Sequence, residues 1–167
     1  MPLQFVIRTE KLADKTADSV YNQYTQYRTF AIEDDMLHLK GTAYSIGMDL
    51  KTSQNVKRQI IFENQENYKT YRYDLGSITN GMYTVGSSLQ DGLDKTRAWF
   101  DQAIDITNIP KGTYTIYIAT QSNVNDYSEL TELLSRSLKD VVLKTEENTY
   151  TFTIDSTERY RIEMNVE

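Results

Sequence analysis

The sequence predicts a mainly β fold, an antiparallel β-sandwich of immunoglobulin-like or jelly-roll type. Apolar and polar residues alternate from about residue 29 to the end of the chain, and turn-forming residues separate the alternating runs. The chain has 167 residues and no cysteine. A chain of this length can bury a core without disulfides, and thiolate metal sites are excluded.

Each predicted strand places alternate side chains on opposite faces of a sheet. Tyrosine and β-branched residues are frequent in these runs, which suits a pleated surface. The apolar-rich sets are Leu37, Leu39, Gly41 and Ala43; Val56, Arg58, Ile60 and Phe62; Tyr71, Tyr73 and Leu75; Tyr114, Ile116 and Ile118; Tyr150, Phe152 and Ile154; and Tyr160, Ile162, Met164 and Val166.

Turn residues lie between the runs, where Gly, Asn, Asp and Pro each favour a reversal of the chain. They are found at Asp34-Asp35, Asn64 to Asn67, Asn80-Gly81, Asp91-Gly92, Pro110 to Gly112, Glu146 to Asn148 and Asp155 to Thr157. The last two of these flank one short run and predict a closing antiparallel hairpin.

Two segments depart from the alternation. Within residues 126–138, leucines at 130, 133, 134 and 138 recur at helical spacing, and Asp126 or Ser128 suits a helix N-cap. We therefore predict a short helix there. Residues 10–27 predict a second short helix or an irregular lead-in. The predicted organisation is a lead-in over 1–27 and a single sandwich domain over 28–167.

Charge and hydropathy exclude several classes of partner. The net charge is −6 and the basic residues are dispersed, whereas nucleic-acid-binding domains carry a basic stripe. No run approaches the roughly 20 apolar residues of a transmembrane helix. The first eight residues lack a signal-peptide pattern. This indicates either a protein not exported by that route or, as we favour, a domain of a longer protein.

The sequence shows no familiar catalytic or cofactor motif. His38 is the only histidine, and it falls on the polar face of its strand. No Gly-x-Ser-x-Gly motif occurs and the glycines are scattered, so we predict neither nucleophilic catalysis nor a phosphate-binding loop. Glu33, Asp34 and Asp35 predict a solvated turn rather than a calcium loop. We expect no cofactor and no metal; an unfamiliar enzyme using Asp101 or Asp105 is the alternative.

The aromatic residues suggest a binding surface. The chain has thirteen tyrosines and one tryptophan. Strict alternation places Phe100, Ile104 and Ile106 on the core face and Trp99 on the opposite face with Asp101 and Asp105. An outward tryptophan beside carboxylates suits a sugar platform or a protein interface. The alternative is that Trp99 covers the core.

The predicted ligand-binding residues are Trp99, Asp101, Asp105, Tyr117 and Tyr73. For the tyrosines on strands, including Tyr71 and Tyr114, packing within the sheet is the alternative role.

Two runs carry a resemblance to a known class of module. They are Phe30 to Tyr44, with Leu-x-Leu-x-Gly-x-Ala, and Trp99 to Ile118, with Phe-x-x-x-Ile-Asp-Ile and Ile-Pro-x-Gly-x-Tyr-x-Ile. Over residues 28–120 the chain resembles the β-sandwich accessory modules of Gram-positive cell-envelope polymer enzymes. Examples are the non-catalytic C-terminal domains of wall teichoic acid glycosyltransferases and glycerophosphotransferases. The resemblance implies a sandwich that binds polymer or mediates assembly, with catalysis elsewhere.

We therefore predict a non-catalytic module that binds a glycan or a cell-wall glycopolymer and is associated with a Gram-positive cell envelope, on an unspecified side of the membrane. The alternative is a structural or oligomerisation module that uses exposed aromatic residues to form a homo-oligomer. An acidic module needs a local basic patch to bind an anionic teichoic polymer, and Arg58, Arg72 and Arg97 are the candidates for it.

Overall fold

The computed structural model describes residues 23–45, 47–51, 56–79, 95–123 and 127–167. Within these ranges the chain forms ten strands and no helix, which confirms the mainly β prediction. The strands are β1 (Gln23–Glu33), β2 (Met36–Ser45), β3 (Val56–Asn64), β4 (Thr70–Asp74), β5 (Trp99–Ile104), β6 (Gly112–Ser122), β7 (Tyr127–Glu132), β8 (Val141–Lys144), β9 (Thr149–Asp155) and β10 (Arg161–Val166).

The strands form two antiparallel sheets. The small sheet has the order β1-β2-β5, and the large sheet has the order β4-β3-β6-β10-β9-β8, with β7 beside β6. The β1–β2 hairpin turns through Asp34 and Asp35, whose φ angles are 52° and 58°. Two consecutive positive φ angles match the twist of a two-residue hairpin, and aspartate tolerates this conformation. The predicted closing hairpin is confirmed as β9 and β10.

One large core contains side chains from both sheets. Phe30 of the small sheet meets Phe152 of the large sheet with ring centroids 5.0 Å apart, edge to face. At Gly41 a Cβ atom would lie 2.3 Å from the carbonyl oxygen of Gln26. A side chain therefore does not fit where β1 and β2 approach most closely.

Arg58 of β3 points into this core and is 1% exposed. Its guanidinium donates to the carbonyl oxygens of Ala43, Gly76, Arg97 and Trp99, at 2.9, 3.0, 3.1 and 3.4 Å respectively. These oxygens belong to β2, the segment after β4, the segment before β5, and β5. Arg58 therefore joins both sheets by their backbones, and it does not contribute to a surface basic patch.

The predicted helix over 126–138 is wrong. Residues 127–132 form β7, which pairs with Tyr117 to Ser122 of β6. Strand β10 pairs only with the first part of β6, from Gly112 to Thr115. Without β7 the rest of that edge would leave backbone N–H and C=O groups without partners, and pairing them outweighs the helical spacing of the leucines.

The second predicted helix falls mainly outside the described residues. Of residues 10–27, only 23–27 are described, and they belong to β1. Strand β1 thus begins ahead of the predicted domain boundary at residue 28. The described part of the chain contains no helix long and apolar enough to cross a membrane.

Candidate functional site

Two of the predicted ligand-binding residues, Tyr73 and Asp105, lie close enough for the charge of Asp105 to act on the Tyr73 hydroxyl. Tyr73 and Tyr71 lie on the core-facing side of β4, where they pair with Ile60 and Phe62 of β3. Strand β4 is the edge of the large sheet, and both tyrosines are half-buried there. Asp105 follows the end of β5, and its charge acts on Tyr73. We call Tyr71, Tyr73 and Asp105 the tyrosine edge.

The rings of both tyrosines are anchored by aromatic contacts. Tyr73 packs edge to face on Phe62 with centroids 5.9 Å apart, and Tyr71 packs in the same way on Tyr114, also at 5.9 Å. Such pairs contribute about 0.5–1.5 kcal/mol beyond the area that they bury. Neither hydroxyl forms a side-chain hydrogen bond with another residue that the structure describes. The rings are thus fixed while their polar ends stay available to a ligand.

The hydroxyl of Tyr73 stays neutral across the physiological range. Burial, the charge of Asp105 and the neighbouring hydroxyls of Tyr150 and Tyr71 together raise its pKa to about 12, with burial the largest cause. A neutral phenol both donates and accepts hydrogen bonds. Tyr73 therefore offers a ligand both functions.

Asp105 is held in a turn by Thr107. Its Oδ1 accepts hydrogen bonds from the backbone N–H of Thr107 at 2.9 Å and from the Thr107 hydroxyl at 2.6 Å. These two bonds lower the pKa of the Asp105 carboxyl, so it is ionised at neutral pH. In the described part of the chain, Oδ2 has no partner. One oxygen thus fixes the turn and the other is open to a ligand.

The hydroxyls of two buried tyrosines donate hydrogen bonds to the backbone of this turn and of the residues after it. The Tyr150 hydroxyl donates to the carbonyl oxygens of Thr107 and Ile109, at 2.8 and 3.3 Å. The Tyr114 hydroxyl donates to the carbonyl oxygen of Pro110 at 2.8 Å. Because buried hydrogen bonds to backbone carbonyls resist local opening, Asp105 is carried by a rigid loop.

The loop enters β6 through Gly112. Its φ angle is 148°, and a Cβ atom there would lie 2.6 Å from the Asn64 side-chain nitrogen. Glycine is therefore required by both conformation and space. The run Ile109-Pro110-Lys111-Gly112-Thr113-Tyr114, which contributes to the sequence resemblance, thus forms the support of the loop that carries Asp105.

Trp99 is not the exposed platform that the sequence predicts. Its side chain does lie on the face opposite Phe100, but the residue is only 5% exposed. The segment after β4 runs beside this end of β5, because the Ile78 N–H donates to the Trp99 carbonyl at 2.8 Å. Alternation predicts the face of a residue, whereas its exposure depends on what covers that face.

Asp101 belongs to a separate ionic network on the outer face of the small sheet. Its Oδ1 lies 2.7 Å from His38 Nε2, and its Oδ2 lies 3.4 Å from Lys40 Nζ. The other ring nitrogen of His38 lies 3.0 Å from Glu33. The hydrogen bond to Asp101 is the largest cause that raises the pKa of His38. Both Asp101 oxygens therefore have partners in this network, whereas Asp105 has no partner in it.

Tyr117 is buried on the far side of the large sheet. It is 1% exposed and packs with Ile61 and Ala119, away from the core that the two sheets share. Tyr117 cannot contact a ligand from this position, and its predicted binding role is wrong. The alternative role, packing within the sheet, describes it correctly.

The carboxylates do not converge on a metal position within the described ranges, where no group of three or more His, Asp or Glu side chains could hold an ion. Glu33 and Asp101 contact opposite nitrogens of His38 and so lie on opposite sides of its ring. They stabilise an imidazolium in this arrangement.

Sequence analysis missed the residues that support the site. Tyr150 and Thr107 act through hydrogen bonds to the loop backbone, and Tyr71 stands beside Tyr73 on β4. The Asp-x-Thr spacing of Asp105 and Thr107 is a recognisable turn signal. The alternation already placed Tyr71 with Tyr73 on one face of a strand, but Tyr71 was not among the predicted ligand-binding residues.

Comparison with known proteins does not assign the chain to a family. No family model matches it, and no curated protein sequence matches it. The likeness to envelope-polymer modules therefore remains a prediction based on the two sequence runs quoted above.

Proposed function

We propose that the protein is a non-catalytic glycan-binding module, an immunoglobulin-like or jelly-roll sandwich that binds sugar residues at the tyrosine edge. The observation that carries the proposal is the placement of Tyr71 and Tyr73, two anchored rings with available hydroxyls, where the charge of Asp105 acts on Tyr73.

The chemistry of sugars suits these groups. Pyranose rings present apolar C–H faces that pack against aromatic side chains, and their hydroxyls donate to a carboxylate oxygen. Tyr71 and Tyr73 supply the aromatic contact, and Asp105 orients the sugar through its hydroxyls. Binding on fixed groups limits the entropy lost on association.

The surroundings of Asp105 favour binding over glycoside cleavage. Glycosidases flank the scissile bond with two carboxyl groups about 5–10 Å apart. The Asp105 pKa is lowered by the hydroxyl and backbone N–H of Thr107, whereas a general acid needs a raised pKa. The neighbouring groups are tyrosine hydroxyls, which suits recognition. The resemblance to envelope-polymer modules supports a place at a Gram-positive cell envelope.

Homo-oligomerisation through aromatic residues has less support. Within the ranges described, the large hydrophobic residues classed as exposed are Tyr68, Ile78, Leu134, Val142 and Tyr160. They come from a turn, a β-bridge segment, the chain after β7, the edge strand β8 and the β9–β10 turn. Leu134 and Tyr160 are neighbours, because the Ser135 N–H donates to the Tyr160 carbonyl at 2.9 Å and Leu134 forms a β-bridge with Arg161. Stable dimers bury a larger contiguous patch on each partner than two such side chains provide.

The proposal is tested by two-dimensional NMR titration of the labelled protein. The probes are tetrasaccharides of glucose and of N-acetylglucosamine, together with polyglycerol phosphate. We expect saturable shifts confined to β4 and residues 105–111 with at least one probe. The proposal is overturned when no probe gives saturable shifts, or when the shifts lie elsewhere.

Substitutions separate ring from hydroxyl. Tyr73→Ala should weaken binding about tenfold or more, because it removes the aromatic contact, and Tyr73→Phe should weaken it by a smaller factor. Tyr68→Ala is the matched control, since Tyr68 is an exposed tyrosine on the turn before β4. Equal losses for Tyr68→Ala and Tyr73→Ala would exclude the tyrosine edge as the site.

A further inference from the structure

We propose that the tyrosine edge selects uncharged sugar residues and rejects phosphate-bearing glycopolymers, and that the open carboxylate oxygen of Asp105 determines this selectivity. The inference rests on the proposed glycan-binding function and specifies its ligand class. It differs from the expectation that an envelope module of this kind binds an anionic teichoic polymer.

The charge of Asp105 has no counter-charge within reach among the described residues. Its Oδ1 is occupied by neutral donors from Thr107, and no ion pair reaches Oδ2. A ligand phosphate placed beside Tyr73 would therefore meet a fixed negative charge. Asp105 is exposed, so solvent screens part of this repulsion; like charges still oppose binding, and specificity often rests on such a repulsive element.

The arginines that could have formed a basic patch lie elsewhere. Arg72 alternates with Tyr71 and Tyr73 on β4, so it faces away from them and pairs across the strands with Ile61. The charge of Glu63 acts on Arg72 there. Arg58 is buried on backbone carbonyls, and Arg97 donates to the Ser77 carbonyl at 3.4 Å. None of the three neutralises Asp105.

Two lysines in neighbouring loops do not neutralise the charge of Asp105. Lys69 precedes β4 and Lys111 follows the Asp105 turn; both are exposed, and neither forms an ion pair with Asp105. Their long side chains remain hydrated, so they contribute little fixed positive charge to the site. Lys111 is the cation nearest in sequence through which a phosphate would have to bind, and it can be tested directly.

Uncharged sugar hydroxyls satisfy the same groups fully. A carboxylate oxygen accepts one or two hydroxyl donors in short, charge-assisted hydrogen bonds. The neutral Tyr73 hydroxyl can donate to a ring or hydroxyl oxygen of the same sugar. The negative charge of Asp105 thus attracts the hydroxyl groups of a polyol, whereas it repels a phosphate.

The test compares the uncharged tetrasaccharide that binds most tightly with polyglycerol phosphate, by calorimetry and NMR. For the unmodified protein we expect the tetrasaccharide to bind at least tenfold more tightly. Asp105→Asn keeps a turn-forming acceptor at Oδ1, so it should fold. It should weaken tetrasaccharide binding about tenfold, because one charge-assisted bond is lost, and should strengthen the binding of polyglycerol phosphate.

Asp155→Asn is the matched control, because Asp155 forms the same turn with Thr157. It should leave both affinities unchanged, as should Lys111→Gln. Equal or tighter binding of polyglycerol phosphate at the tyrosine edge, or its loss in Lys111→Gln, would overturn the selectivity while leaving glycan binding intact. Failure of both polymers to bind would instead overturn the proposed function.

Discussion

The turns at Asp105 and Asp155 are formed by the same hydrogen bonds, but the second carboxylate oxygens of the two residues differ in their partners. In each, Oδ1 accepts from the backbone N–H and hydroxyl of the threonine two residues later, at 2.9 and 2.6 Å for Asp105 and at 3.0 and 2.6 Å for Asp155. The second oxygen of Asp155 lies 3.6 Å from Arg161. The second oxygen of Asp105 has no hydrogen-bond or ion-pair partner among the residues described.

The difference shows that local sequence and tertiary surroundings decide separate things. The Asp-x-Thr spacing forms the turn wherever it occurs. Whether the second oxygen is closed by a cation depends on the neighbouring strand, which offers Arg161 in one case and Tyr73 in the other. Asp101, held by His38 and Lys40, belongs to the closed kind. Only the open kind is suited to binding a ligand.

The largest expected effect comes from removing Arg58, whose guanidinium joins β2, the segment after β4 and the start of β5. Arg58→Met leaves four backbone carbonyls without their donor and should lower the free energy of unfolding by about 3 kcal/mol or more. Urea denaturation measures this loss. Arg159→Met, which removes an exposed arginine 3.6 Å from Glu132, should cost less than about 0.5 kcal/mol.

Amide exchange in Arg58→Met makes the result specific. Thr107 should exchange faster relative to the native protein, and Thr157 should change less, because Arg58 donates to the start of the strand that leads to Asp105 and to no residue around Asp155. Equal acceleration at both threonines would show that Arg58 stabilises the fold as a whole without a particular effect on the site.

A smaller effect is expected from Tyr150→Phe, which removes the hydroxyl beneath the Asp105 loop. The carbonyls of Thr107 and Ile109 lose a donor, so stability should fall by about 1–2 kcal/mol. Glycan affinity should fall as well, because the loop becomes less rigid. Calorimetric unfolding and ligand titration measure the two effects. Tyr27→Phe serves as a comparison outside this loop, and a loss of glycan affinity there would contradict the account.

The closed carboxylate Asp101 gives a pH-dependent effect. Its hydrogen bond raises the pKa of His38 above 6.5 in the folded protein. The resulting stabilisation is fully present below the unfolded pKa near 6.5 and is lost as pH rises through the folded pKa. For this partly exposed pair we expect about 0.5 kcal/mol, after allowing for solvent screening.

Proton NMR of the single histidine, with urea denaturation on either side of its pKa, measures both quantities. Asp101→Asn should lower the pKa of His38 and flatten the dependence. An unchanged His38 pKa in Asp101→Asn would mean that the contact has no electrostatic effect in solution.

The smallest expected effect is a difference in how added salt changes the pKa of Asp105 and the pKa of Asp155. Both aspartates have lowered pKa values through their threonine bonds, but the positive charge of Arg161 contributes only for Asp155. Added salt screens charges more than it weakens hydrogen bonds. The Asp155 pKa should therefore rise in 0.5 M salt while the Asp105 pKa stays nearly constant, as carboxyl carbon NMR can measure. A parallel rise in both would indicate that a cation also acts on Asp105.

Alternation predicted most of the strands because it is imposed by the pleat of each strand itself. It also assigned Leu37 and Leu39 to the core and placed Tyr71 and Tyr73 on the same face of their strand. It could not predict the exposure of Trp99 or Tyr117, since that depends on chain segments distant in sequence. The leucines after residue 126 have a helical spacing, but the unpaired edge of β6 is a tertiary feature that no local pattern reveals.

The position of Arg58 also bears on how the site would respond to a ligand. Its bonds reach the backbone just after β4, which carries Tyr73, and at the start of β5, which leads to Asp105. One internal group therefore joins the backbone after β4 to the start of β5, the strand whose other end leads to Asp105. Their spacing is set during folding, so a matching sugar meets a preformed surface. A ligand that requires a different spacing would have to deform the protein interior. The hydrogen bonds of the buried arginine would therefore limit the size of the ligands that bind.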